Sequence, residues 1–337
     1  MTASGELTPD VLRLDLERSV REISAFIRHS VLEVLHRKGA VVGISGGIDS
    51  AVVTALCARA LGTERVVGLL MPDKHSSPET LALSRSVAES QGVECVLEEI
   101  SAPLEALGCY SRQDASIRSV IPEYGPGWRS KIVLPGVTQD DRYRLYSVVA
   151  RAPDGSEIKR RLTPNAYLGI VAATNFKQRV RTMLEYYHAD ARNYAVAGTP
   201  NRLEYDQGFF VKGGDGLADF KPIAHLYKTQ VYELAAHLGV PAEICRRPPT
   251  TDTYSLPQGQ DEFYFSLPYD KMDLCLYGRS NGYPPAALTR VLGLSEDQIE
   301  RVYRDIDGKR RTTRSLHLAG LVVEAPDAAV GAPHSGS

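Results

Sequence analysis

Several things are missing from this sequence, and each absence removes a class of function. No apolar run approaches the ~20 residues of a membrane-spanning helix, and the opening MTASGELTPD lacks a signal-peptide pattern. The five cysteines (Cys57, Cys95, Cys109, Cys245 and Cys275) are scattered, with no CxxC. That spacing fits reduced thiols better than disulfides or a zinc site. Neither charge sign dominates: 39 Lys and Arg stand against 41 Asp and Glu, for a net charge of −2. Bulk electrostatics therefore ask for neither nucleic acid nor an anionic membrane. There is no internal repeat, no Cys–His nucleophile pair and no room for a glutaminase domain. What is left is the expectation of a cytoplasmic enzyme.

What is present is an alternation of short apolar runs with helical patterns. Residues 11–38 carry apolar positions at helical spacing, and Gly39 reads as the stop of that N-terminal helix (1–39). Then 40–44 reads as a strand, 49–61 as a helix, 66–71 as a strand, 78–91 as a helix and 94–98 as a strand. A long helix near 166–187 leads to a further strand at 194–197, and from Lys228 the pattern is mostly helical. Such repetition predicts an α/β fold, a doubly wound parallel sheet with a helical C-terminal portion. That domain spans 40–323, and the small polar tail 324–337 reads as disordered. A stretch at about 110–164, rich in Pro, Gly and Arg, breaks the rhythm. Within it, 143–151 and 156–163 flank Ala-Pro-Asp-Gly and predict a hairpin.

The strand at 40–44 ends in Ser45-Gly46-Gly47-Ile48-Asp49-Ser50. Glycines let the backbone approach an oxyanion, and the start of the following helix offers free N–H groups. Ser45 and Ser50 add hydroxyls. Asp49 would repel phosphate unless a cation lay between, so its presence points to Mg²⁺. A plain βα turn is the competing reading, but five specified residues match by chance in only about one chain in a thousand of this length. The loop is not GxxxxGK[ST], since no lysine follows the glycines.

The SGGxDS pattern resembles the pyrophosphate loop of the ATP pyrophosphatases, and the chain is similar to the NAD synthetase family over roughly residues 19–312. The stretch "GTPNRLEYDQGFFVKGGDGLADFKPIAHLYKTQV" resembles that family's GTxxxxE…GxxTKxGDGxxD…P…L.K segment. The resemblance implies that Gly43, Ser45, Gly46, Gly47, Ser50, Thr199, Thr250 and Lys228 contact ATP. It makes Asp49 and Glu204 the Mg²⁺ ligands, with Lys228 completing the catalytic set. "NFKQRVRTM" places Arg179 on the arginine that binds deamido-NAD. Lys177 and Arg181 beside it are open between a substrate-facing role and a solvated helix face. Lys212, Asp219 and, in "GKRRTT", Lys309 fall on further dinucleotide-binding positions. Asp252, Asp261 and Glu262 match acids that face substrate or set conformation.

Departures from the family pattern gather on the dinucleotide side: Gln178, Thr182, Val211, Gly213, Thr251, Thr253 and Gly308, together with the 110–164 insert. Two readings stay open, amidation of deamido-NAD or of a different carboxylate. A tRNA-thiolating pyrophosphatase would want paired cysteines and a basic face. A nucleotide-binding regulator would not need Glu204 and Lys228 together with Asp49. The resemblance further implies a homodimer, with ammonia arriving free or from a separate glutaminase.

Overall fold

The computed structural model describes residues 7–134, 145–248, 254–259, 264–265 and 267–323. Helix α1 (Leu16–Arg28) starts where Asp15 accepts a hydrogen bond from the Arg18 N–H at 3.0 Å, and it continues through a π-turn at His29–Val34. The expected helix over 11–38 is thus shorter at both ends. A separate 3₁₀ turn occupies Pro9–Leu12, and His36, not Gly39, takes the left-handed conformation after the helix (φ 51°). Gly39 instead allows close packing, because a Cβ there would run into the Tyr194 ring.

Strand β1 (Ala40–Gly43) leads into α2 (Ile48–Leu61), then β2 (Val66–Leu70), α3 (Pro78–Ser90) and β3 (Glu94–Leu97). Helices α4 (Ser101–Ala106) and α5 (Cys109–Arg118) follow, and α5 lies within the stretch read as an irregular insert. Strands β4 (Arg129–Val133), β5 (Ser147–Arg151) and β6 (Glu157–Arg161) make an antiparallel sheet in the order β4-β5-β6. The hairpin predicted around Ala-Pro-Asp-Gly is its β5–β6 half. Next come α6 (Pro164–Arg192), β7 (Ala195–Ala197), α7 (Arg202–Gln207) and α8 (Lys228–His237). Helices α9 (Ala242–Arg246), α10 (Tyr269–Ser280), α11 (Thr289–Leu292) and α12 (Glu296–His317) complete the described chain.

The main sheet is parallel, in the order β3-β2-β1-β7. Its buried residues alternate between two cores, as strand geometry requires. Ala40, Val42, Val66 and Leu70 pack with α1, α2 and α8, while Val41, Val67, Leu69 and Val196 pack under α6. Helices on both faces make the sheet doubly wound, and the strand order reverses between β1 and β7. Ligands bind at such a switch point, beyond the carboxyl ends of the strands. A third core joins α10, α12 and the 3₁₀ turn at Pro9–Leu12, which is the helical C-terminal portion. A fourth sits between the antiparallel sheet and the start of α6. Among the described residues no helix is long and apolar enough to cross a membrane.

Candidate active site

The loop after β1 keeps its shape through its own hydroxyls. Ser45 N–H donates to Ser50 Oγ at 3.2 Å, Gly47 N–H donates to Ser45 Oγ at 3.3 Å, and Ser50 Oγ donates to the Gly47 carbonyl at 2.9 Å. Gly46 adopts φ 71°, where a side chain would be strained and would press on α3. No side chain caps α2, so its first N–H groups are left for a ligand, at the positive end of the helix.

Asp49 stands in the first turn of α2 and is held from two sides. Lys228, the first residue of α8 and 1% exposed, forms an ion pair through Nζ with Asp49 Oδ2. Asn201 Nδ2 donates to Asp49 Oδ1 at 3.0 Å. The same Asn201 caps α7: its Oδ1 accepts from Glu204 N–H at 3.1 Å, and its N–H donates to Glu204 Oε2 at 3.2 Å. One buried asparagine thus holds two carboxylates that lie far apart in the chain, Asp49 through its side-chain amide and Glu204 through its backbone N–H.

The electrostatics follow from that crowding. Burial, then the nearby Asp49 charge, pushes Glu204 up to about 8, against the pull of Lys228. Burial works against the Lys228 charge, but Asp49 and Glu204 outweigh it and its pKa is raised. Two acids forced together are donors of the kind a hard divalent cation takes, although among the described residues no group of three or more ligating side chains comes together.

A cleft of about 400 Å³ opens here, and Gly43, Ser45, Asp49, Ser50, Thr199 and Glu204 all line it. Gly46 and Gly47 belong to the same loop, and Lys228 joins it through Asp49. The residues expected to serve ATP and metal are therefore brought together. Thr250, Asp252, Asp261 and Glu262 lie outside the described residues.

The positions expected to hold the dinucleotide are not among the residues lining this cleft. Arg179 donates to the Lys212 carbonyl at 3.3 Å, and Lys212 Nζ donates to the carbonyls of Ser315 and Leu318 at the end of α12. Asp219 accepts from the Val196 N–H at 2.8 Å and from the Tyr186 hydroxyl at 3.1 Å. Lys309 pairs with Asp305 at 2.7 Å and donates to the Tyr264 carbonyl at 2.6 Å. Lys177 is not on a solvated face: it is 1% exposed and pairs with the buried Asp73 at 3.1 Å.

Three groups in or behind the cleft escaped the sequence reading. Asn201 and Asp215 sit inside the matched motifs, GTPN and GGDG, but were given no role. Glu185 shares the cleft face of α6 with Gln178 and Arg181, at spacings of seven and four. A Cβ on Gly43 would collide with the Glu185 carboxylate and force that side chain to shift. Burial and then Asp215 push Glu185 up to about 7, and burial pushes Asp215 to about 6. Helical spacing was the one signal that could have found Glu185.

A model of the NAD synthase family matches residues 19–120 and 156–313. The chain belongs to that family. The NH(3)-dependent NAD(+) synthetase of Rhizobium meliloti is 56% identical over 315 residues, covering 94% of each chain. That of Rhizobium rhizogenes is 53% identical, covering 96% of this chain and 98% of the relative. The NMN synthetase from Francisella tularensis shares the fold at TM-score 0.64 and 21% identity, covering 94% of this chain and all of that one. The break in the NAD synthase match, 121–155, contains β4 and β5. This NAD synthase family member thus carries its smaller sheet largely on residues that the family model passes over.

Proposed function

We propose that the chain is an ammonia-dependent NAD synthetase, converting deamido-NAD, ATP and ammonia to NAD, AMP and pyrophosphate through an acyl-adenylate. The observation that carries this reading is the Asp49–Asn201–Glu204–Lys228 arrangement at the open N-terminus of α2 in a NAD synthase family member. The names of the 53–56% identical relatives favour deamido-NAD over a different carboxylate.

Ser45, Gly46, Gly47 and Ser50 cradle the β and γ phosphates, with Gly43, Thr199 and Thr250 contacting the rest of ATP. Asp49 and Glu204 hold Mg²⁺, which when bound neutralises phosphate charge and relieves the repulsion between the two acids. The substrate carboxylate attacks the α-phosphorus and pyrophosphate leaves. Loop N–H groups and Lys228 stabilise the charge growing on the leaving group. Ammonia then attacks the acyl carbon and AMP departs. Glu185 and Asp215 line the cleft, and in their ionised forms they would take the proton that ammonium must lose. Arg179, Lys212, Asp219 and Lys309 serve the dinucleotide at the edge of the site, where a second copy of the chain in a homodimer would meet it. Ammonia arrives free or from a separate glutaminase, in the cytoplasm.

The test is to incubate protein, ATP, Mg²⁺ and ammonium with and without deamido-NAD, following AMP and NAD by mass. NAD at ~1 s⁻¹ or faster is expected. ATP binding without NAD formation would reject the reading and reopen the search for the carboxylate.

A further inference from the structure

Asp273, on α10, is fully buried, and its chain neighbours Met272, Leu274 and Cys275 belong to the apolar C-terminal core. A carboxylate is costly in such a place unless hydrogen bonds hold it. Its Oδ2 accepts from the Thr229 N–H at 2.7 Å, across 44 residues of chain. Thr229 is the second residue of α8, and Tyr227, the residue just before that helix, offers no side-chain cap. A helix start ordinarily takes this acceptor from its own N-cap residue. Here α10 supplies it. Gln230 secures the rest of the turn: its Oε1 accepts from the Tyr227 N–H and its Nε2 donates to the Leu12 carbonyl, both at 2.9 Å.

The first residue of α8 is Lys228, so the bond to Asp273 falls one residue from the cation that pairs with Asp49. Tyr269, one turn before Asp273 on α10, sets its ring centroid 5.5 Å from Lys228 Nζ, within reach of cation–π attraction. One face of α10 thus meets this lysine twice, beside its main chain through Asp273 and at its ammonium through Tyr269. Burial pushes the Asp273 carboxyl up to about 6, against hydrogen bonds from Thr229 and Lys228, which leaves it mostly ionised at neutral pH. A negative charge also suits the positive end of α8.

A short polar side chain at position 227 would satisfy the Thr229 N–H as well, but it would leave α8 free to shift against α10. A cap taken from α10 fixes where the first turn stands, and so where the Lys228 ammonium reaches. We propose that Asp273 is a positioning residue for the adenylation step, holding the start of α8 so that Lys228 stays aimed at Asp49 and at the departing pyrophosphate. This rests on the proposed function, in which Lys228 stabilises the leaving group.

The test measures pyrophosphate–ATP exchange with deamido-NAD in wild type, Asp273→Ala, Asp273→Glu and Asp273→Asn, beside thermal melts. Asp273→Ala removes the acceptor. Asp273→Glu keeps acceptor and charge but pushes the turn outward by one methylene, and a misplacement of about 1 Å is enough to slow a reaction. Both should lose kcat about tenfold or more, with KM for ATP and for deamido-NAD within about twofold of wild type. Asp273→Asn, whose amide oxygen still accepts from Thr229, should recover most of the rate. If Asp273→Ala does not fold, Asp273→Glu and Asp273→Asn decide between them. Variants that melt lower yet keep the wild-type kcat would overturn the positioning role, and so would a loss expressed in KM alone. An Asp273→Asn rate as low as that of Asp273→Glu also overturns it. A wild type that shows neither exchange nor NAD formation would instead sink the proposed function.

Discussion

Asn201 Nδ2 donates to Asp49 Oδ1 across 3.0 Å, while its Oδ1 accepts from the Glu204 N–H. This buried amide sets the relative position of the two acids at the phosphate loop. Asn201→Ala removes both the tether and the cap of α7. A stability loss of about 1 kcal/mol is expected from the cap alone. The kcat should fall at least tenfold at saturating ATP, with more Mg²⁺ needed for half-maximal rate. Thermal melts and a Mg²⁺ titration of pyrophosphate–ATP exchange check this. An unchanged Mg²⁺ requirement would count against the shared-metal assignment.

Lys228 is the buried cation between Asp49 and Glu204. Lys228→Ala leaves the Asp49 carboxylate without its cation, a change that costs roughly 3–5 kcal/mol in buried pairs. Exchange between pyrophosphate and ATP should drop more than a hundredfold. Lys228→Arg should recover little, since a planar guanidinium cannot take the place of a compact ammonium.

Stability should depend on pH in the direction set by the raised carboxyls. Glu204 is held near 8 in the folded chain against an ordinary value of 4.5, and Glu185 near 7. Between those limits the folded state binds more protons than the unfolded one. Their contribution is therefore present at low pH and lost as pH rises toward 8. Melting temperature without ligand should fall across pH 5–8, less steeply in Glu204→Gln. Mg²⁺, which under the proposed function would be held by the ionised pair, should flatten the slope when added with ATP. A wild type and a Glu204→Gln variant with identical slopes would remove Glu204 as the cause.

Away from the phosphates, Lys177 on α6 pairs with Asp73 after β2, and both side chains are at most 1% exposed. Lys177 Nζ also meets His75 Nδ1 at 3.0 Å, and Arg181 approaches Asp73 at 3.5 Å. Lys177→Met should cost up to about 3–5 kcal/mol by removing the nearer of Asp73's two cations and leaving only Arg181. Adding Asp73→Asn should return part of that loss. Denaturant unfolding of the two single variants and the double variant measures the coupling.

Strands β1 and β2 and helices α2 and α3 were legible to within a residue or so, because hydrophobic period and glycine breaks are local signals. Helix α5 was not. Its sequence CYSRQDASIR is polar, and its buried face, Cys109, Gln113 and Ile117, includes a glutamine. Strand β4, RSKIV, hides for the same reason: its inward residues are Ser130 and Ile132. The sequence left Lys177 open between a substrate-facing role and a solvated face, because a charged side chain reveals burial only through its partner, which lies 104 residues away.

On the site, the sequence by itself determined the strand–loop–helix and the inventory of acids and lysines, since these rest on residue identity and near neighbours. Tertiary structure alone decided that Lys228 meets Asp49 across 179 residues and that Asn201 joins both acids. It also decided that Asp273 caps α8 from α10, and that Arg179, Lys212, Asp219 and Lys309 stay out of the cleft's lining. Those outcomes depend on the order of parallel strands and on how helices pack across them. Packing is a property of distant segments together, and no local pattern carries it.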